Sequence, residues 1–125
     1  MPPWFLCLLA EASINVSLEV DNPLKVLVNT SVVYLRWAYT TSSDEEVTLV
    51  DFHFGGDDVP IGFINSTSQP EVSSKFRDRF KLERRGTLII HNVTASDTGK
   101  YKIALTTNQS TQVESSVYLD VLGKL

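Results

Sequence analysis

Arg79-Phe80-Lys81-Leu82, Gly86-Thr87-Leu88-Ile89-Ile90-His91-Asn92-Val93 and Ser96-Asp97-Thr98-Gly99-Lys100-Tyr101 are the stretches that decide how this chain folds. Phe80 and Leu82 alternate with charged neighbours, the period expected of a strand with one buried face. Arg84-Arg85-Gly86 supplies a turn before the apolar run of Thr87 to Val93. The same period of two extends outward in both directions. Upstream, Ile14, Val16, Leu18 and Val20 alternate until Asp21-Asn22-Pro23, where proline lacks the N–H that a ladder needs. Leu24 to Val28 resumes as a short edge strand. Val33, Leu35, Trp37 and Tyr39 alternate next, followed by the polar loop Thr40 to Glu46. In Val47 to Phe54, Val50, Phe52 and Phe54 face one way and Asp51 and His53 the other. Gly55-Gly56-Asp57-Asp58 reads as a hairpin turn, with Val59 to Ile64 as its return strand. Asn65 to Lys75 is a polar, Ser-rich connection, either a ragged edge strand or a loop. Downstream, Lys100 to Thr106 and Val113 to Leu122 complete the set, and helical spacing is nowhere sustained.

Short strands at this spacing predict an all-β sandwich, and a chain of 125 residues suits one domain. The three quoted segments resemble the D, E and F strands of V-set immunoglobulin domains, whose pattern is D-x-G-x-Y-x-C. The resemblance covers most of residues 13 to 122. It implies an immunoglobulin-like V-set sandwich with Greek-key connections over residues 13–123, and it gives several residues structural roles. Arg79 and Asp97 would pair at the bottom of the sandwich, Gly99 would permit a tight turn, and Tyr101 would make the tyrosine corner.

The departures from the family pattern are as informative. Ile103 stands where the F-strand cysteine belongs. Setting Val33-x-Leu35-x-Trp37-x-Tyr39 against the family's V-x-L-x-C-x-Y puts Trp37 at the B-strand cysteine. Phe52, fifteen residues on, takes the place of the usual C-strand tryptophan. Trp37, Phe52 and Ile103 are thus expected to pack across the core with no intrachain disulfide, which forgoes roughly 2–4 kcal/mol. An alternative register makes Trp37 the C-strand tryptophan, moves B to Leu24–Val28 and leaves Val47–Phe54 as C′. The first register gives Val59–Ile64 a place as C′. The last strand has no F-G-x-G, which separates the chain from antigen-receptor variable domains. The sequence is similar to the membrane-distal domains of carcinoembryonic-antigen and SLAM-type adhesion receptors. Through Trp37-Ala38-Tyr39-Thr40-Thr41, Val50-Asp51-Phe52-His53-Phe54 and Gly99-Lys100-Tyr101-Lys102-Ile103 it also resembles cnidarian allorecognition (Alr) proteins.

Residues 1–12 read as the remnant of a signal peptide: the apolar run Trp4 to Ala10 precedes the small-x-small pattern Ala10-Glu11-Ala12. The alternative is an apolar arm that packs on the domain. Five of the six asparagines, Asn15, Asn29, Asn65, Asn92 and Asn108, head N-glycosylation sequons, where chance would place about one. Export is the expectation, with the domain as the ectodomain of a type I membrane glycoprotein anchored beyond Leu125. The only cysteine, Cys7, lies in the leader-like segment, so the mature domain would hold no disulfide. A net charge of −4 argues against a binder of nucleic-acid backbones.

No pairing of nucleophile and base, phosphate-cradling loop or metal-ligand spacing is present, so neither an enzyme nor a cofactor is expected. His53 and His91 stand alone as strand residues, and Asp57-Asp58 and Asp44-Glu45-Glu46 suit turns better than calcium. In V-set relatives the outer face of the G, F, C and C′ strands is the usual contact surface. Alternation puts Lys100, Lys102, Ala104 and Thr106, with Asp51 and His53, and Glu114, Ser116 and Tyr118, on that face. By the family likeness it would bind the same or a similar protein on an opposing cell, with Lys102 of one copy meeting Asp51 or Glu114 of the other. A heterophilic immune-type receptor or ligand, and a spacer module, are the alternatives.

Overall fold

A computed structural model describes residues 14–42 and 44–123. The leader-like segment 1–12, with Cys7, lies outside the described residues. Within them the strands are β1 (Ile14–Leu18), β2 (Leu24–Leu27), β3 (Val32–Thr41), β4 (Val47–Phe54), β5 (Val59–Asn65), β6 (Glu71–Val72), β7 (Phe80–Glu83), β8 (Thr87–His91), β9 (Gly99–Thr107) and β10 (Gln112–Leu122). One 3-10 turn, Ala95–Asp97, sits between β8 and β9. The strands form a four-stranded sheet in the order β1-β3-β8-β7 and a six-stranded sheet in the order β2-β10-β9-β4-β5-β6. The segment Asp21-Asn22-Pro23 carries the chain from one sheet to the other, so β2 runs parallel to β10 while every other pair is antiparallel. The Ser-rich connection contributes only the two-residue edge strand β6.

The core lies where the two inner faces meet. Trp37 from β3 and Phe52 and Ile103 from β4 and β9 are all buried, and the rings of Trp37 and Phe52 lie 6.3 Å apart at 57°. A buried indole needs a hydrogen-bond acceptor. The Trp37 Nε1–H reaches across the sandwich to Ser115 Oγ of β10 at 3.0 Å, a polar stitch between the sheets. Phe52 stands directly opposite Ile103, and β5 pairs with β4. Val47–Phe54 is therefore the strand beside β9, and the register that placed Trp37 there is excluded.

Arg79 closes the bottom of the sandwich, as expected. Its guanidinium grips Asp97 in a two-pronged pair, with Nη1 to Oδ2 at 2.8 Å and Nη2 to Oδ1 at 2.9 Å. The same Nη1 donates to the carbonyls of His91 and Asn92, tying down the β8–β9 connection. Burial pushes the Asp97 carboxyl up, but the bonds from Arg79 and from the Thr94 N–H outweigh it and hold the carboxyl below its usual range. The Tyr101 hydroxyl donates to the Asp97 carbonyl at 2.6 Å. Burial, then the Asp97 charge, raises its phenol far above the ordinary value. Gly99 does more than permit a turn. Its φ is 152°, and a Cβ there would lie 2.9 Å from Phe54 Cε1, so only glycine lets β9 begin flush against that ring.

Candidate functional site

Cross-strand register assembles the outer face of the six-stranded sheet row by row. One row runs Pro60, His53, Lys102, Ser116 across β5, β4, β9 and β10. The next runs Phe63, Asp51, Ala104, Glu114, and the third Asn65, Leu49, Thr106, Gln112. Lys100 stands opposite Tyr118 at the lower border. Residues opposite one another in a ladder share a face, so Asp51, His53, Lys100, Lys102, Ala104, Thr106, Glu114, Ser116 and Tyr118 are one surface.

That surface differs from its expected form in two places. Ala104 lies on the face but is only 4% exposed, so it is a floor between Asp51 and Glu114 and offers a partner almost nothing to touch. Lys102 is not a free charge awaiting another chain. Its ammonium bonds Asp58 Oδ1 at 3.0 Å and Glu114 Oε2 at 3.7 Å within the same chain, and its side chain is 15% exposed. The bond to Asp58, foremost, raises the lysine's pKa and lowers that of Asp58. The Gly55-Gly56-Asp57-Asp58 turn thus folds a carboxylate back over the sheet. Burial raises the Asp51 carboxyl, and the neighbouring His53 opposes this only in part. The Nδ1 of His53 is buried without a hydrogen-bond partner. His91 stands on β8 in the other sheet, and no cluster of ligands able to hold a metal occurs among the described residues.

The centre of the face is accordingly a charge cluster paired within the chain, one ammonium between two carboxylates. Its exposed large apolar side chains are aromatics at its borders, Tyr118 at 47% exposure and Phe63 at 36%. Tyrosine and phenylalanine provide much apolar area at little entropic cost, which is what a protein-binding surface needs.

No protein-family model matches the chain, and no curated protein does. Solved structures do match. Domain 1 of VCBP3 from Branchiostoma floridae superimposes with a TM-score of 0.72 at 17% identity, over 90% of this chain and 97% of that one. Murine CEACAM1b gives 0.71 at 21% identity, over 89% of this chain and 55% of that one. The first immunoglobulin domain of Dpr1, solved bound to that of DIP-eta, gives 0.67 at 18% identity, over 90% of this chain and 99% of that one. The fold is that of a V-type immunoglobulin domain. In this V-type domain the ladder of paired strands and the buried trio of Trp37, Phe52 and Ile103 stand in for the inter-sheet disulfide, for no cysteine occurs among the described residues.

The sequon asparagines of the V-type domain sit at the ends and edges of the sheets, and of them Asn65, in the third row, stands on the outer face of the six-stranded sheet. Asn29 and Asn92 lie close together in turns at the lower end, where Val93 accepts from the Asn29 N–H at 2.8 Å. Their φ angles of 70° and 53° are left-handed, a region that asparagine tolerates better than most residues, so both positions have a structural reason for Asn as well. Asn15 is exposed on β1 of the opposite sheet. Asn65 and Asn108 mark the upper end, and in each the carboxamide oxygen makes the contact: Asn65 Oδ1 accepts from Thr67, and Asn108 Oδ1 from the Glu46 N–H.

Alternation had not brought Phe63 to notice. A bulge between Phe52 and His53, where the pairing skips Ile61, reverses the period along β5 and turns Phe63 outward between Asp51 and Glu71. The one legible cue is Gly62, because glycine inside a strand marks a bulge or a close approach of backbone.

Proposed function

We propose that this domain is exported and N-glycosylated, and that it recognises a protein partner at the cell surface through the outer face of its six-stranded sheet. The partner we propose is the same or a closely similar protein on an opposing cell, as in self and non-self recognition, with the domain at the end of a type I membrane protein. The observation that carries this reading is the combination on one face: a Lys102, Asp58 and Glu114 centre paired within the chain, exposed Tyr118 and Phe63 at its borders, and no sequon asparagine between them. Pairing Lys102 with Asp58 and Glu114 inside one chain lowers the cost of covering this face with a protein, because the ammonium already has its partners. Recognition of one immunoglobulin domain by another is consistent with the bound state of Dpr1 and DIP-eta. Because those two chains differ, a heterophilic partner is the second reading.

The two are separated by cell aggregation. Cells displaying the full ectodomain should cluster without any partner line, and Phe63→Ser together with Tyr118→Ala should abolish clustering while surface display and melting temperature hold. Clustering that needs a second, different line supports the heterophilic reading, and clustering that survives both substitutions removes this face from consideration.

A further inference from the structure

Of the five large apolar side chains exposed among the described residues, two stand directly opposite each other at the border of the six-stranded sheet. These are Leu27 of β2, 59% exposed, and Leu122 of β10, 40% exposed. Two residues up the same pair of strands, Lys25 stands opposite Asp120. Leu24, Val26, Leu119 and Val121 turn inward to the core, so Lys25, Leu27, Asp120 and Leu122 form a square of side chains on the outer face. Neither Lys25 nor Asp120 takes part in the ion pairs that tie the described residues together. An exposed cross-strand leucine pair at a sheet border is a contact surface looking for a cover.

We infer that this square is a two-fold contact between two copies of the chain lying side by side. The layout of charge is what selects a second copy. Consider a two-fold axis parallel to the strands and midway between β2 and β10. It places each residue of β2 over its ladder partner from the other copy. Leu27 then covers Leu122, Leu122 covers Leu27, and both Lys25–Asp120 contacts are of opposite sign. Opposite charges and apolar pairs are thus matched by one operation, which an isologous interface requires. An axis along the strands also leaves both copies pointing the same way, with their C-terminal ends together, as two molecules on one membrane would stand. The sheets lap over β2 and the end of β10 only, so β9, β4 and β5 of each copy remain uncovered, while Tyr118, two residues from Asp120 on the same side of β10, borders the contact.

The square is much smaller than the roughly 800 Å² per partner of a stable interface, so the association is weak and suited to crowding on a surface. Sedimentation of the full chain over a wide range of concentration tests it. The unaltered chain should shift towards a dimer as concentration rises. Lys25→Glu and Asp120→Lys should each weaken that dimer by about tenfold or more, as should Leu27→Ser. An equimolar mixture of the first two variants should restore it, because each mixed contact again joins opposite charges. Restoration also proves both variants folded, and the double exchange Lys25→Asp with Asp120→Lys should self-associate unaided. A monomer at every concentration, single variants that dimerise undiminished, or a mixture that stays monomeric overturns the inference and gives the leucines to a neighbouring domain or a different protein.

Discussion

Trp37 occupies the point where other sandwiches of this kind place a sulfur, and the energetics of the two solutions are not interchangeable. An indole buried against Phe52 and bonded to Ser115 contributes through area, ring contact and one hydrogen bond. A disulfide contributes by limiting the unfolded chain, which adds nothing to packing. Restoring the cysteines by Trp37→Cys with Ile103→Cys should therefore fail as a stabilising change. Removing the tryptophan costs about 3–5 kcal/mol in lost burial and cavity, and the bridge returns about 2–4 kcal/mol. With the further loss at Ile103, the oxidised variant should unfold at lower urea than the native chain, and lower still when reduced. A bridged variant as stable as the native domain would mean that Trp37 does not carry the centre. At this scale the sequence was informative because each role belongs to a residue type: Trp37, Ile103, Arg79, Asp97 and Tyr101 could be placed from their spacing to a known pattern. Ser115 could not, since nothing local tells a serine beneath an indole from one facing water.

Strands follow from alternation wherever alternation is unbroken, and that is why β3, β4, β9 and β10 were legible and their outer face with them. β5 was not, because an extra residue at Ile61 reverses the faces beyond it and no local pattern announces where a bulge falls. Exposure is a further step from orientation. Ala104 points outward and is still covered, because a methyl group between Asp51 and Glu114 is shorter than both its neighbours. Gly62 is what allows the six-stranded sheet its outermost strand. A Cβ at Gly62 would collide with the Glu71 carbonyl oxygen and crowd Val72 Cα, backbone contacts that no side-chain rotation can relieve. Gly62→Ala should push β6 off the sheet edge. Hydrogen exchange should then show lost protection confined to residues 61–64 and 71–73, with a global cost of about 1–3 kcal/mol and little change in β9 or β10. Protection unchanged in that segment would show that the edge yields without cost.

The whole molecule carries its sequons at turns and strand ends, and leaves the two rows through Lys102 and Ala104 free of them, an arrangement only half legible in the sequence. The sequons themselves are local triplets. That these two rows are bare depends on which ends and edges the strands bring together, which no triplet encodes. If bareness is functional, adding a glycan to the face should block recognition and adding one elsewhere should not. The sequence offers both experiments by single substitutions. Glu114→Asn creates an acceptor ahead of Ser115-Ser116 in the middle row of the face, and Arg85→Asn creates one ahead of Gly86-Thr87 at the β7–β8 turn of the other sheet. Arg85 has a φ of 75°, so asparagine there should fold at least as well as arginine. Glu114→Gln serves as the control for loss of the carboxylate that bonds Lys102, since it changes the charge without adding sugar. Once mass spectrometry confirms the added glycans, the Glu114→Asn protein should lose clustering of displaying cells. The Arg85→Asn protein should retain it to within about twofold, because surface changes away from a contact shift affinity by only a few tenths of a kcal/mol, and Glu114→Gln, which keeps the size of the side chain, should weaken it far less than the glycan does. Clustering that tolerates a glycan at position 114 but not one at position 85 would move recognition to the four-stranded sheet, and the pattern of sequons would then reflect turn geometry alone.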